Sequence, residues 1–377
     1  MRTKIVVTIA SFFTATILAT TLSYADAPTF LAKVAMTDSK AAGLAGTRRV
    51  AITSVMVSFQ ASAGGEKTNT SGLFAAKTDT STTLQMPEMD AKLLIQITDD
   101  IHMQLKADLQ TNGFEVLPES AVMASANYQK IIKLAGISNF SKFANLDGDT
   151  MLVAASGLKA YLPYNIETGK FSVQQKTLIK GWIAGWGGKS STEGGPSNIS
   201  TGEIYELPGL EVAIAKELNA NIVKATYVVT LGSTKAGVDR FSSTSHNIHS
   251  GSAFAQVGLL AGQSRIAFRT PAASSKGESA PGGYTSNFGN NASPAKDGDV
   301  VVCLAEPILG GTDFFSVTAP ETKKPSLLGG LLGGGFGTGA DVQFTYIATV
   351  SDASAYRAEV VGMVKVAQRD MLTMVKQ

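Results

Sequence analysis

His246 and His249 stand three apart in Ser245-His-Asn-Ile-His-Ser-Gly251, a spacing at which two imidazoles can share one metal ion. A third ligand is required, the nearest acid is Asp239, and no Cys or carboxylate cluster adjoins it, so the segment reads as a polar loop. The third histidine, His102, lies beside Ile101 in a helical stretch and reads as a helix-flank residue. Cys303, the single cysteine, sits in the apolar run Asp299-Val-Val-Val-Cys-Leu-Ala305 and reads as a core thiol on a buried strand. Gly251-Ser252-Ala-Phe does not complete a nucleophile elbow, and no paired carboxylates stand out. No catalytic residue, cofactor site or metal ligand is therefore assigned; a hydrolase using His246 or His249 is the weakest of three readings.

Two further segments resemble ligand motifs only in part. Asn145-Leu-Asp-Gly-Asp149 has the alternating oxygens of a calcium loop, but its Gly is misplaced and no closing Glu follows, so a turn held by Asx side chains is expected. Gly335-Phe-Gly-Thr-Gly339 lacks the strand before and helix after that a phosphate cradle needs. Contact residues are better candidates. Leu327, Leu328, Leu331, Leu332 and Phe336 on a glycine-rich backbone suit insertion into a membrane surface or packing on a subunit, unless the loop tucks over the core. Trp182 and Trp186, four apart, suit an interface anchor or a pocket wall.

Charge narrows the class of partner. The chain has 32 basic and 30 acidic residues. Arg2 and Lys4 open a signal-like segment, followed by an uncharged stretch from Ile5 to Leu22 and by Ser23-Tyr24-Ala25 as a cleavage site. Four threonines between Thr14 and Thr21 argue against a retained anchor, and no Cys stands near the cut to accept a lipid. Cleavage leaves a formally neutral chain, which argues against nucleic acid as the partner. An exported protein of the periplasm, outer-membrane surface or exterior is expected.

These residues need a scaffold. Residues 26–46 read as a linker and 47–377 as one domain, with insertions at about 60–85, 163–208, 271–297 and 320–340. Residues 49–59 are a strand; 60–85 read as a long polar loop or a mobile hairpin. Leu94, Ile97, Ile101, Leu105 and Leu109 stripe a helix that Gly113 ends. Phe114–Leu117 is a short strand, and Pro118-Glu-Ser120 opens a helix to about Leu134. A possible strand at 151–156 precedes the insertion, and a helix around Leu210–Leu218 follows it. The alternation in 221–231 predicts a half-buried strand, with Lys224, Thr226 and Thr230 on its polar face. Strands at 253–270, 299–305 and 342–350 lead to a long C-terminal helix that Ser351 and Asp352 cap. The fold class is α/β (α+β): a mixed sheet with helices packed on it and large loop insertions.

This order, with Gly113-Phe-x-Val116, Pro118-Glu-Ser120 and Lys216-Glu-Leu-Asn-Ala-Asn-Ile-Val223, resembles the TolB N-terminal domain and the periplasmic domain of CsgG-like curli-secretion proteins. The resemblance covers about half the chain. It implies an envelope protein with a non-catalytic role in assembly, secretion or scaffolding, working through protein partners, self-association or membrane-surface contact. CsgG-like channels are lipoproteins and build a barrel from amphipathic hairpins. Here no lipidated Cys is present, and only 171–206 or 254–269 are available for such a role. The alternative is a periplasmic binder of a small apolar ligand, with Trp182 and Trp186 in the pocket wall.

Overall fold

The computed structural model describes residues 32–36, 44, 47–69, 78–136, 138–145, 148–161, 191–192, 207–240, 247–271, 299–318, 320–323 and 342–375. The signal-like segment, Trp182, Trp186, His246, the 327–337 segment and Gly335–Gly339 lie outside them.

Among the described residues, an eleven-stranded mixed sheet organises the molecule. Its main path runs β1 (Val34–Met36), β12 (Asp299–Leu304), β11 (Arg265–Arg269), β9 (Asn221–Arg240), β2 (Arg49–Gln60), β7 (Gly148–Ala154), β6 (Phe140–Asn145) and β8 (Ser191–Thr192). Off this path β5 (Glu115–Val116) adds to β2, while β10 (Asn247–Leu259) pairs with β9 and β13 (Ile308–Leu309). β2 is parallel to β9 and β5, and the other pairs are antiparallel. A strand buried on both faces carries apolar residues without alternation. β2, rich in Val, Ile and Met, meets that condition along nearly its whole length.

Helices α1 (Ala91–Thr111) and α5 (Ala353–Val375) cover one face of the sheet. The expected α1 stripe is buried there with Val55, Val57, Phe59, Ala225, Tyr227 and Phe268, and α5 adds Tyr356, Val360, Met363, Val364, Ala367 and Met371. Asp90 caps α1 by accepting from the Lys92 amide at 2.9 Å, and Asp352 caps α5 through the Ala355 amide, also at 2.9 Å. At the end of α1, Gly113 takes a φ of 81° while the Phe114 amide reaches back to the Leu109 carbonyl, as a Schellman cap requires.

The opposite face carries α2 (Glu119–Ala124), α3 (Ala126–Ala135) and α4 (Leu207–Leu218) over Met56, Leu152, Ala154 and Ile222. The single helix expected from Pro118 is broken at Ser125, which is extended (ψ 125°) and caps α3 through the Tyr128 amide at 3.2 Å. A second, five-stranded sheet consists of β3 (Ser62–Asn69), β4 (Thr78–Gln85), β16 (Val342–Val350), β14 (Phe315–Val317) and β15 (Glu321–Lys323). It packs on the distal β9–β10 ribbon through Ala63, Leu84, Leu231, Ala255 and Ala348.

Further sequence readings change or narrow. Part of the expected linker is strand β1, in antiparallel register with Met36 opposite Val302 and Val34 opposite Leu304. Of the loop and the hairpin read over 60–85, the described residues form the hairpin, paired from Ser62↔Gln85 to Asn69↔Thr78, because its threonines suit a pleated surface even without an apolar stripe. Residues 253–270 are two strands separated by a turn at 261–264. Leu259, Ile266 and Phe268 from that stretch lie in the main core, so 254–269 does not form a free membrane-facing hairpin. Among the described residues no helix is long and apolar enough to cross a membrane.

Candidate functional site

Chemistry gathers on the helix-poor part of the face that bears α2–α4. Strand register fixes which side chains share that face. Ser54 stands beside Lys224, and Lys224 beside Ala267. One row on, Met56 stands beside Thr226, Thr226 beside Arg265, and Arg265 beside Cys303. A register slip between Ile52 and Ser54, at Thr53, is what turns Ser54 onto this face.

Glu211 of α4 brings the charges together. Its carboxylate accepts from Lys224 Nζ at 2.8 Å through Oε1 and pairs with Arg269 Nη1 at 3.0 Å through Oε2. All three side chains are at most 10% exposed. Buried charges persist only when paired and hydrogen-bonded, and this cluster meets that condition. Tyr161 donates to Glu211 Oε1 at 3.4 Å and lies 3.3 Å from Thr53 Oγ1. Tyr128 packs edge-on against Tyr161 at 6.3 Å and donates to the Thr53 and Lys159 carbonyls, both at 3.3 Å.

A small niche opens beside the cluster, lined by Ser54, Met56, Tyr161, Lys224, Thr226, Arg265 and Ala267, with about 10 Å³ of free space. That is room for about one water molecule. Ser54 is 2% exposed, and its hydroxyl has no hydrogen-bond partner. The niche's lining mixes the Lys224 and Arg265 cations with the apolar Met56 and Ala267.

Sequence reasoning missed this site because Lys224 and Thr226 look like the solvent side of a half-buried strand. Both are buried. The available signal was their place in the middle of an eleven-residue strand pattern, where a central strand of a covered sheet has no solvent side.

Of the other sites read from sequence, Cys303 is a buried thiol, as expected, with its pKa raised by burial and lowered somewhat by Arg265. His102 is not a flank residue: it is buried on the inner side of α1, with Nε2 3.7 Å from Glu119 Oε1. Asn145 and Gly148 pair across the end of the β6–β7 hairpin. His249 belongs to β10, its backbone opposite Val238. Among the described residues no three His, Cys, Asp or Glu side chains group as a metal site.

Comparison with known proteins returns no relative. No protein-family model matches the chain, nor does a curated protein or a solved structure.

Large apolar side chains are exposed at one edge of the main sheet. Phe254 is 54% exposed and Leu309 63%. Phe254 of β10 stands opposite Ser233, a bulge follows between Ala255 and Gly258, and Leu309 of β13 pairs with Gly258.

Proposed function

We propose that the chain is an exported cell-envelope protein with a non-catalytic role in assembly, secretion or scaffolding, acting through protein contacts. The observation that carries this reading is the exposed Phe254–Leu309 edge on a doubly covered sheet. Large apolar side chains left exposed on neighbouring strands are contact anchors of the kind that binding energy concentrates on. The resemblance to TolB-like and CsgG-like envelope domains points the same way. The contact segments read from the sequence, around Trp182 and Trp186 and at Leu327–Phe336, lie outside the described residues and remain part of the proposal.

The test is size-exclusion chromatography with light scattering, together with crosslinking in cells. Self-association or a retained partner, weakened by Phe254→Ser with Leu309→Ser at unchanged melting temperature, is the expected result. A strictly monomeric protein with no crosslinked partner overturns the reading.

A further inference from the structure

Three titratable side chains meet where α1 faces the start of α2. Glu119, the first residue of α2, turns Oε1 toward α1, and two side chains of that helix address this one oxygen. Lys106 Nζ holds it at 2.9 Å, while His102 Nε2 stops at 3.7 Å, too far for a hydrogen bond. Four residues apart, the two side chains share one face of α1. Their surroundings differ. The Lys106 side chain is 36% exposed, whereas His102 Nε2 is buried and has no hydrogen-bond partner. Glu119 Oε2 is backed by Gly157, where an added Cβ would sit 3.3 Å from it. The neighbouring Ser156 is anchored to α1, its amide and hydroxyl donating to Asp99 at 2.7 and 2.8 Å. Among the described residues, the charged groups that bear on the imidazole are Glu119 of α2 and Lys106 and Asp99 of α1 itself.

We propose that this trio is a proton-driven latch, in which protonated His102 takes Glu119 Oε1 from Lys106 and releases the lysine to solvent. A neutral imidazole has one N–H to donate and no charge. The imidazolium donates from both nitrogens, and its bond to a carboxylate is charge-assisted. Closing the gap from 3.7 Å to hydrogen-bond distance takes a shift of about 1 Å or less. Lys106, on a flexible stem at the surface, yields its place readily because water solvates its ammonium. At neutral pH α2 is tied to α1 by a surface lysine; in acid the tie passes to a buried histidine. The surface beside α2 then grows more basic in two ways, since a proton is gained and Lys106 loses its counter-ion.

Histidine ring signals of the full chain, followed by NMR from about pH 8 to about pH 4, test this, with His102 identified by its loss in His102→Gln. Lys106→Met removes the competitor and should raise the His102 midpoint, whereas Glu119→Gln should lower it. Crystal structures from the two ends of the titration should show His102 Nε2 reaching Glu119 in acid, with Lys106 turned away. Lys106 lies near the surface, so Lys106→Met folds and decides the question even if Glu119→Gln does not. A Lys106 still bonded to Glu119 in acid, or a midpoint that Lys106→Met leaves unmoved, overturns the proposal. Unfolding before His102 titrates overturns it too, because the latch would then never close in the native state.

Discussion

His102 stands against the packed side of α1, where burial lowers its pKa more than Glu119 raises it; Lys106 lowers it further and Asp99 raises it. The folded protein therefore holds a neutral imidazole at pH values where the unfolded chain, with a histidine pKa of about 6.5, already binds a proton. The unfolded state binds more protons in that window, so stability falls as pH drops below about 6.5 and levels off beneath the folded-state pKa. Urea unfolding at pH 7.5 and pH 5.5 should show that loss, and His102→Gln should flatten it. An equal slope in the variant would place the titrating group elsewhere. Glu211 presents the opposite case, a buried charge that both Lys224 and Arg269 engage. Glu211→Gln should cost about 3 kcal/mol or more, measured by the urea midpoint at neutral pH. A loss under about 1 kcal/mol would mean that Lys224 and Arg269 are held mainly by other groups.

Among the elements, the β9–β10 ribbon depends most on close approach. A Cβ placed on Gly251 would lie 2.6 Å from both the Phe344 ring and Thr82 Oγ1. Tyr346 donates its hydroxyl to the Gly251 carbonyl at 2.6 Å across the same contact. Gly251→Val should lift the ribbon off the second sheet, at a cost on the order of 1–3 kcal/mol as for other overpacked sites. Hydrogen exchange should then accelerate at Ser250–Ala255 and Thr80–Leu84 and stay slow in α1. Uniform acceleration throughout the chain would show that the ribbon has no independent mobility.

At the scale of the whole molecule, the chain ties its two sheets together at several points, β2 running through Ala61 straight into β3. β9 begins in the main sheet, beside β2 and β11, and ends in the ribbon that meets the second sheet. β16 belongs to the second sheet, yet α5, which follows it directly, packs on the main core. Neither sheet can lose its contacts without disturbing a segment of the other. Far-ultraviolet circular dichroism and near-ultraviolet tyrosine signals should therefore give coincident urea transitions. Two resolved transitions would contradict this coupling.

Residue order alone determined the elements with strong periodicity: α1, α5, β12 and β16 follow from apolar spacing, because a helix stripe or an alternating strand is written in local sequence. It also determined their caps at Gly113 and Asp352 and the burial of Cys303, an apolar residue within an apolar run. Tertiary structure decided everything that depends on which strand lies beside which. The threonine-rich 62–85 segment became a hairpin only through its partners, and β1 became a strand only through β12. Lys224 and Thr226 read as solvent-facing until β2, β11 and α4 closed around them. The charged niche joins residues from β2, β9 and β11 to Tyr161, and its members approach one another only through register and a one-residue slip at Thr53. Local sequence marks only the mid-strand place of Lys224 and Thr226 and says nothing of their neighbours, because pairing in a sheet is a property of two strands and never of one.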